Sequence, residues 1–305
     1  MNFTHNNHLR YTIGDREFGY RENSYEKYKL TVGSIDTDHY KTSSYAQELL
    51  RTADLIYQDY KSDFALFLSG GTDSEIVARN FVDIGIKPTC FVIKFKDDYN
   101  LSDVNEAVDV AKELDLNLHV IDFDVKDFLY SGEASVFGKE LQCTQITYLM
   151  VYHAILKVGM PAVMGGEVFL KRNINTDPST WYYCIRENED ASAMRFSKKF
   201  NIPLVNEYFS YTPELLLYYL EQEDIINLVN TRYNYKLTSV SSKNDILKKL
   251  VPAIRVRKKT HGFEKLLAFN FEAYRQMSGE QIMRLESSLD GIEYNTVINM
   301  LKRNI

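Results

Sequence analysis

The feature that most constrains this chain is an apolar run, residues 64–68, that leads directly into the hexapeptide S-G-G-T-D-S and then into a segment of helical periodicity. This order predicts a strand, a tight turn and a helix. Two glycines allow the backbone to curl with its N–H groups turned inward, and the start of the helix places partial positive charge where an anion would sit. The turn consists of Ser69, Gly70, Gly71, Thr72, Asp73 and Ser74, called the 69–74 loop below.

The chemistry of the 69–74 loop favours phosphate as the anion. Its three hydroxyl groups are hydrogen-bond donors, and the Asp73 carboxylate is placed where it can hold Mg²⁺ against bound phosphates. No lysine follows the turn, so the loop differs from the G-x-x-x-x-G-K-[ST] sequence that holds the β- and γ-phosphates for terminal phosphoryl transfer. The alternative interpretation is a glycine-rich strand-to-helix turn without a chemical function.

The hexapeptide resembles the PP-loop of the ATP pyrophosphatases, enzymes that split ATP into AMP and pyrophosphate while they adenylate a substrate oxygen. The resemblance implies that all six loop residues bind ATP or pyrophosphate, that Asp73 also holds a metal, and that ATP and Mg²⁺ are the cofactors. Two further segments extend the resemblance to the synthase domain of asparagine synthetases, over about residues 45–270.

The first of these segments, residues 161–170, runs from a short apolar strand into Gly165-Gly166-Glu167. It is similar to a G-x-G-x-D-E-x-F signature of that domain with one position deleted. The resemblance implies that Gly166 binds ATP and that Glu167 replaces the family's metal-binding aspartate. The alternative is a Gly-Gly turn with a surface glutamate.

The second segment, residues 242–263, resembles the closing signature of the same domain, in which a K-x-x-L helix leads to a proline, an isoleucine, R-x-K and G-F. The resemblance implies catalytic roles for Lys259 and Arg257, with Lys258 contacting the nucleotide. Fixed cations would stabilise the negative charge that spreads over the α-phosphate and the departing pyrophosphate. A basic run alone is more typical of a solvated face, and occasionally of a nucleic-acid patch.

The remaining periodicity favours an α/β protein, because helical segments of about 12 residues alternate with short apolar strands. We expect a Rossmann-like, doubly wound parallel sheet of the adenine nucleotide alpha-hydrolase type, with a mostly helical C-terminal part. The predicted organisation is an N-terminal extension of short strands or a cap at 1–44, a PP-loop ATP pyrophosphatase domain at 45–200, and a helical part carrying the basic motif at 201–305. Residues 141–166 are interpreted as a buried helix, a turn and a buried strand.

Charge and cysteine spacing limit the cellular compartment and the classes of binding partner that we expect for this protein. A net charge of −6 and a pI near 5.6 give no general attraction to nucleic acid or to an anionic membrane. The three cysteines are too widely spaced for a zinc knuckle or a C-x-x-C pair, which fits a reducing, cytoplasmic compartment. The polar start lacks the apolar segment of a secretory signal. No membrane partner is expected, and binding to nucleic acid is disfavoured.

Several ring side chains receive structural interpretations. His153 on an apolar helix and His119 within a strand are interpreted as core histidines rather than as bases. Interior packing is favoured for the aromatic cluster at residues 181–183, although an aromatic wall for a substrate is the alternative.

Together the motifs predict an ATP-dependent synthase or ligase of asparagine synthetase-like type that forms AMP and pyrophosphate and makes an amide bond. A substrate carboxylate attacks the α-phosphorus, and ammonia or an amine captures the acyl-adenylate. We expect no counterpart of the family's glutaminase domain, since Asn2 follows Met1 in place of a nucleophilic cysteine. We therefore expect the nitrogen to come from free ammonia, from an amine of the substrate, or from a separate glutaminase subunit.

Three alternatives remain open at the level of the sequence. The first is a PP-loop enzyme that modifies a nucleobase or RNA. The second is a non-catalytic ATP-binding regulator. The third is a tailoring cyclase of the same superfamily, whose amine lies within the substrate.

Overall fold

The structure is a computed structural model of the 305-residue chain. It describes residues 8–20, 22, 26, 28–61, 63–166, 168–173, 177–186, 190–230, 239–241, 248, 251, 254 and 291–303.

In the first half of the chain, three N-terminal strands are followed by helices and strands that largely alternate. In chain order they are β1 (Arg10–Ile13), β2 (Arg16–Glu17), β3 (Tyr28–Thr31), α1 (Thr37–Thr42), α2 (Tyr45–Tyr60), β4 (Ala65–Phe67), α3 (Thr72–Asp83), β5 (Thr89–Phe95), α4 (Leu101–Glu113), β6 (Leu118–Phe123), α5 (Val125–Tyr130), α6 (Glu133–Leu141) and α7 (Ile146–Val158). A 3₁₀ turn at Lys96–Asp98 lies between β5 and α4.

The second half adds both strands and helices. In chain order the described elements are β7 (Ala162–Val163), β8 (Phe169–Asn173), β9 (Asp177–Cys184), α8 (Ser192–Phe200), β10 (Leu204–Val205), α9 (Pro213–Leu220), α10 (Glu223–Asn230), β11 (Ser239–Ser241), β12 (Gly291–Glu293) and α11 (Tyr294–Leu301). A 3₁₀ turn at Tyr208–Ser210 lies between β10 and α9.

A five-stranded sheet with the strand order β10-β7-β4-β5-β6 forms the centre of the molecule. All four neighbouring pairs are parallel, which confirms the predicted α/β parallel sheet. The side chains of β4 alternate between two hydrophobic cores, because Leu66 packs in one and Ala65 and Phe67 pack in the other. Helices therefore cover both faces of the sheet, which makes it doubly wound.

The strand order places a topological switch point at β4. From β4 the chain proceeds to β5 and β6 on one side, and then it returns to β7 and β10 on the other side. The carboxyl ends of β4 and β7 therefore flank a crevice from which the connections depart in opposite directions. Ligands of open α/β sheets bind at such a crevice.

Helix α2 illustrates how local sequence sets the elements around the site. Ser44 caps it, with its hydroxyl accepting a hydrogen bond of 3.3 Å from the N–H of Gln47, and Leu49, Ala53 and Ile56 form its buried face. The helix ends at Tyr60, shortly before β4 begins. Its C-terminus thus lies at the amino edge of the parallel sheet and its N-terminus lies at the carboxyl edge.

Two smaller antiparallel sheets accompany the parallel one. The first has the order β2-β1-β3 and contains the short N-terminal strands expected from the sequence. The second has the order β11-β8-β9-β12, in which a hairpin inserted after β7 is flanked by strands from two later parts of the chain.

Three sequence-based predictions concern the elements of this fold. The predicted buried helix, turn and strand within 141–166 are confirmed by α7, the left-handed Gly159 and β7. Trp181 and Tyr183 are buried in the interior, as predicted. The expectation for His119 is wrong: β6 lies at the edge of the sheet, so His119 is exposed and stacks on Phe91.

Candidate functional site

The 69–74 loop begins where β4 reaches the carboxyl edge of the sheet. Leu68 is buried and Ser69 is exposed, so the chain leaves the core at the switch point. Gly70 has a φ angle of +70°, a conformation that glycine adopts without strain. Gly71 has an extended conformation and forms the N-cap of α3.

Gly70 is also required by packing. A Cβ atom at this position would lie 2.2 Å from the carbonyl oxygen of Asp103, in the first turn of α4. The 69–74 loop therefore fits tightly against the beginning of α4, and the N-termini of α3 and α4 lie on either side of it. The dipole of α3, whose first turn forms part of the loop, favours an anion at this point.

Ser74 closes the loop from inside. Its hydroxyl accepts a hydrogen bond of 3.1 Å from the N–H of Ser69 and donates one of 3.0 Å to the carbonyl oxygen of Gly71. Ser74 is buried, so its hydroxyl shapes the loop, whereas Ser69 lies at the exposed side.

The first turn of α3 presents backbone donors to the loop. No side chain of the N-cap residue bonds to this turn, because that residue is Gly71. The first N–H groups of an α-helix have no carbonyl partner within the helix. A helix start of this kind binds anions through those groups.

Two acids share this first turn, and they have different surroundings. Glu75 is buried and accepts hydrogen bonds of 2.9 and 2.7 Å from the guanidinium of Arg79, which also pairs with Glu113 at 2.7 Å. Glu75 is therefore engaged in an ion pair along the helix. Asp73 is partly exposed beside the loop, so it is the acid of this turn that can reach a ligand.

A second glycine turn, Gly165 and Gly166, follows β7 and packs against the first. A Cβ atom on Gly165 would lie 3.0 Å from the Cβ atom of Asp73 and 3.3 Å from the backbone nitrogen of Ser74. The carbonyl oxygen of Gly165 accepts a hydrogen bond of 3.0 Å from the N–H of Tyr208. We call these two residues the 165–166 turn. It buttresses the first turn of α3 from the side of β7.

Gly166 faces away from the 69–74 loop. Its φ angle is +64°, and a Cβ atom there would lie 2.3 Å from the carbonyl oxygen of Asn206 and 2.5 Å from the Cα atom of Glu207. These two residues directly follow β10. The 165–166 turn thus packs between the 69–74 loop and the residues that follow β10, at the carboxyl edge of the sheet.

Behind the 165–166 turn lies a buried carboxyl pair that the sequence motifs did not predict. Asp190 and Glu207 are nearly inaccessible to solvent, and they lie close enough to influence each other's protonation. Burial, followed by the neighbouring Asp190, raises the pKa of Glu207 well above its ordinary value. Asn206 donates to Asp190 at 3.0 Å, and Ser210 donates to Glu207 at 2.8 Å.

The N-terminal strands cover this pair. Nε2 of the buried His8 lies 2.8 Å from the carbonyl oxygen of Ser210, and the Tyr11 hydroxyl donates to the carbonyl oxygen of Ala191 at 3.4 Å. Burial lowers the pKa of His8 to about 4, so His8 is neutral near pH 7. The N-terminal segment therefore packs against the loop that follows β10.

The structure brings together part of the predicted site. All six residues of the 69–74 loop and Gly166 lie at the carboxyl edges of β4 and β7. Glu167, Arg257, Lys258 and Lys259 lie outside the described residues. His153 lies among Phe123, Phe128 and Phe137, and its Nε2 lies 2.8 Å from Oε1 of Glu133. None of these neighbours belongs to the 69–74 loop.

Within the part of the chain that the structure describes, no group of three or more His, Cys, Asp and Glu side chains is arranged to hold a metal ion. Over the same residues, no helix has the length and apolar character needed to cross a membrane.

Comparison with known proteins gives no family assignment. No family model matches the chain, and no curated protein matches it.

Several solved structures are similar to it at low identity. NMN synthetase from Francisella tularensis is 14% identical with a TM-score of 0.31, over 80% of this chain and 95% of that chain. NH3-dependent NAD synthetase from Campylobacter jejuni is 12% identical with a TM-score of 0.29, over 88% of this chain and 97% of that chain. Glutamine-dependent NAD+ synthetase from Acinetobacter baumannii is 14% identical with a TM-score of 0.34, over 93% of this chain and 48% of that chain. At these TM-scores the likeness decides neither substrate nor reaction.

Proposed function

We propose that this chain is an ATP-dependent synthase or ligase of the PP-loop ATP pyrophosphatase type that adenylates a substrate carboxylate. The observation that carries the proposal is the 69–74 loop itself. It leaves the central strand at the switch point, curls at a left-handed glycine, and opens onto a helix start whose N-cap residue, Gly71, has no side chain. This is an arrangement that binds phosphate groups.

The loop residues have distinct roles in this proposal. Backbone N–H groups at Gly71 and Thr72, with the Ser69 hydroxyl, bind phosphate oxygens, and Ser74 holds the loop in its curled form. Asp73 would hold Mg²⁺ together with the phosphates, because Mg²⁺ is usually bound by one or two carboxylates plus substrate oxygens. When bound, Mg²⁺ neutralises the charge of the departing pyrophosphate.

The proposed reaction has two steps. A carboxylate oxygen forms a bond to the α-phosphorus as the bond from that phosphorus to the β-bridging oxygen breaks, which releases pyrophosphate. Ammonia or an amine then attacks the acyl carbon, AMP leaves, and the proton of the nucleophile is released. By the resemblance described above, Lys259 and Arg257 stabilise the charge of the first step, Lys258 binds the nucleotide, and Glu167 is a second metal ligand.

The asparagine synthetase-like assignment belongs to the same proposal. It names an amino-acid carboxylate as the acid, and free ammonia, an amine or a separate glutaminase subunit as the nitrogen source. In this version the 165–166 turn takes part by packing directly against the first turn of α3.

The test is the release of pyrophosphate and AMP from ATP with Mg²⁺, measured over a panel of aspartate, glutamate and other amino-acid carboxylates, with and without ammonium. We expect release that depends on one acid. We also expect Asp73→Asn to abolish it while the fold is retained. The matched control is Asp83→Asn, because Asp83 is an exposed aspartate at the far end of the same helix, and its removal should leave turnover unchanged.

Three results would contradict this proposal. Pyrophosphate release that survives Asp73→Asn would remove the role of that carboxylate. ATP binding without release for any acid would favour a nucleotide-binding regulator. Release that requires RNA or a nucleobase would favour the nucleic-acid-modifying alternative.

A further inference from the structure

Tyr45 is a buried polar residue at the candidate site that no sequence motif identifies. It is the first residue of α2 and is only 5% exposed. Among the described residues its hydroxyl has no hydrogen-bond partner. A buried hydroxyl without a partner destabilises the folded state, and a phenylalanine would fill the same space without that loss. The hydroxyl therefore calls for an explanation other than packing.

The position of α2 brings Tyr45 to the carboxyl edge of the sheet. The C-terminus of α2 lies at the amino edge, and a helix of 16 residues spans the sheet along the strand direction. One turn after Tyr45, the backbone carbonyl of Leu49 accepts a hydrogen bond from the Tyr208 hydroxyl. Tyr208 in turn donates its N–H to Gly165, which packs against Asp73. These contacts link the start of α2 to the first turn of α3.

The electrostatic environment of the Tyr45 hydroxyl includes the acid of the 69–74 loop. Burial is the main cause that raises the pKa of Tyr45 well above its ordinary value, followed by electrostatic interactions with Tyr219, Tyr208 and Asp73. Tyr45 thus keeps its proton throughout the physiological pH range. It is a neutral donor that interacts electrostatically with the carboxylate of Asp73.

We propose that the Tyr45 hydroxyl donates a hydrogen bond to a phosphate oxygen of the nucleotide held at the 69–74 loop. For a buried neutral donor near a helix start, an anionic oxygen is the most favourable hydrogen-bond acceptor. The inference rests on the proposed function, because it requires a phosphate at this loop. It assigns the start of α2, which precedes the PP-loop strand, to the ligand-binding surface.

The test compares Tyr45→Phe with the intact chain in two measurements, urea unfolding and calorimetric binding of pyrophosphate and of Mg²⁺-ATP. We expect the affinity of Tyr45→Phe to be about tenfold lower, the effect of one hydrogen bond to a charged group. We expect its resistance to urea to be equal or higher, because the variant loses a buried hydroxyl that lacks a protein partner. These opposite changes distinguish a ligand contact from a structural residue.

The matched control is Tyr152→Phe. Tyr152 is fully buried, and its hydroxyl pairs with the hydroxyl of Ser192 at 2.9 Å. Removal of that hydroxyl breaks an internal hydrogen bond, so we expect lower resistance to urea and an unchanged affinity for both ligands.

The outcomes separate the two levels of the proposal. If the intact chain binds neither pyrophosphate nor ATP, the proposed function fails and this inference fails with it. If the intact chain binds and Tyr45→Phe binds equally well, only this inference is overturned. If Tyr45→Phe loses urea resistance along with affinity, as a structural residue would, the inference is overturned as well.

Discussion

The two glycine turns at the carboxyl edge differ in what surrounds them. In the 69–74 loop, Gly70 is pressed against the backbone of Asp103, but Ser69 is exposed and the helix that follows has no side-chain cap. In the 165–166 turn, one glycine is pressed against Asp73 and the other against Asn206 and Glu207. The 69–74 loop has an exposed residue, Ser69, whereas the 165–166 turn contacts protein on two sides and Gly166 is partly exposed.

Under the proposed function, a glycine pair after a strand has two separate uses. In one, glycine lets the backbone donors reach a ligand. In the other, glycine lets two loops approach more closely than a Cβ atom would permit. The sequence patterns are alike because the backbone requirement is alike. Only the surroundings distinguish a binding turn from a supporting one.

The largest expected effect is the loss of stability on substitution of Gly70, which should exceed that at a left-handed glycine without close neighbours. We expect Gly70→Ala to lower the free energy of unfolding by about 4 kcal/mol, because it combines a positive φ angle with a collision against backbone. The Cβ atom would lie 2.2 Å from the Asp103 carbonyl oxygen. Urea unfolding measures the change.

The matched control for Gly70 is Gly132→Ala. Gly132 has a φ angle of +81°, with nothing within 4 Å of a Cβ atom. It should lose only about 1 kcal/mol, the effect of the backbone conformation alone. Equal losses at the two positions would show that the fit between the 69–74 loop and α4 has no energetic weight.

The next prediction compares alanine substitutions at the two glycines of the 165–166 turn. We expect Gly166→Ala to lower the free energy of unfolding by about 3 kcal/mol, because a Cβ atom would lie 2.3 Å from the Asn206 carbonyl oxygen. Gly165→Ala has a milder conflict, at 3.0 Å from the Cβ atom of Asp73. It should shift the first turn of α3 and weaken pyrophosphate binding about tenfold, with a smaller loss of stability.

Calorimetry and urea unfolding of both variants test this division. A Gly165→Ala variant that binds pyrophosphate normally would show that the 165–166 turn does not position the 69–74 loop. A Gly166→Ala variant as stable as the intact chain would show that the turn is not enclosed on the side of β10.

The last effect is a change of stability with pH, and it concerns the buried carboxyl pair. The pKa of Glu207 is raised in the folded chain, so the folded state keeps a proton that the unfolded state releases. Stability should therefore fall as pH rises above the unfolded glutamate pKa, by up to about 1.4 kcal/mol per pH unit. Glu207→Gln carries no titrating proton, so its stability should fall less steeply between pH 6 and pH 9.

Urea unfolding across that pH range measures the slopes. The control is Asp115→Asn, because the pKa of this exposed carboxyl is lowered by Lys87 and its titration is complete well below pH 6. Its slope should match that of the intact chain. An unchanged slope for Glu207→Gln would contradict a raised pKa of Glu207 in the folded chain.

Much of the parallel sheet and its helices could be predicted from the sequence, because each element carries its own local signal. The strand before Ser69 and the helix that follows the 69–74 loop were both predicted and are confirmed by β4 and α3. Alternating helices and buried strands also imply a parallel sheet. The loop at the carboxyl end of β4 follows from that order.

The parts that could not be predicted depend on residues that are distant in sequence. Nothing near Asp190 or Glu207 signals that the two carboxyl groups meet, since the contact forms only when β10 joins the sheet and α8 packs beside it. The unpartnered hydroxyl of Tyr45 is equally invisible, because a tyrosine at a helix start is ordinary. The roles of Glu167, Arg257, Lys258 and Lys259 stay predictions.

The four-stranded antiparallel sheet has a consequence for the order of folding. Its central hairpin, β8 and β9, pairs residues that are close in the chain, whereas the edges join Phe169 to Ser241 and Cys184 to Gly291. Closing such long loops has an entropic barrier that local pairing avoids, and non-local strands form late. The amide protons of β11 and β12 should therefore exchange with solvent sooner than those of β8 and β9, which makes these edges the first part of the sheet to open.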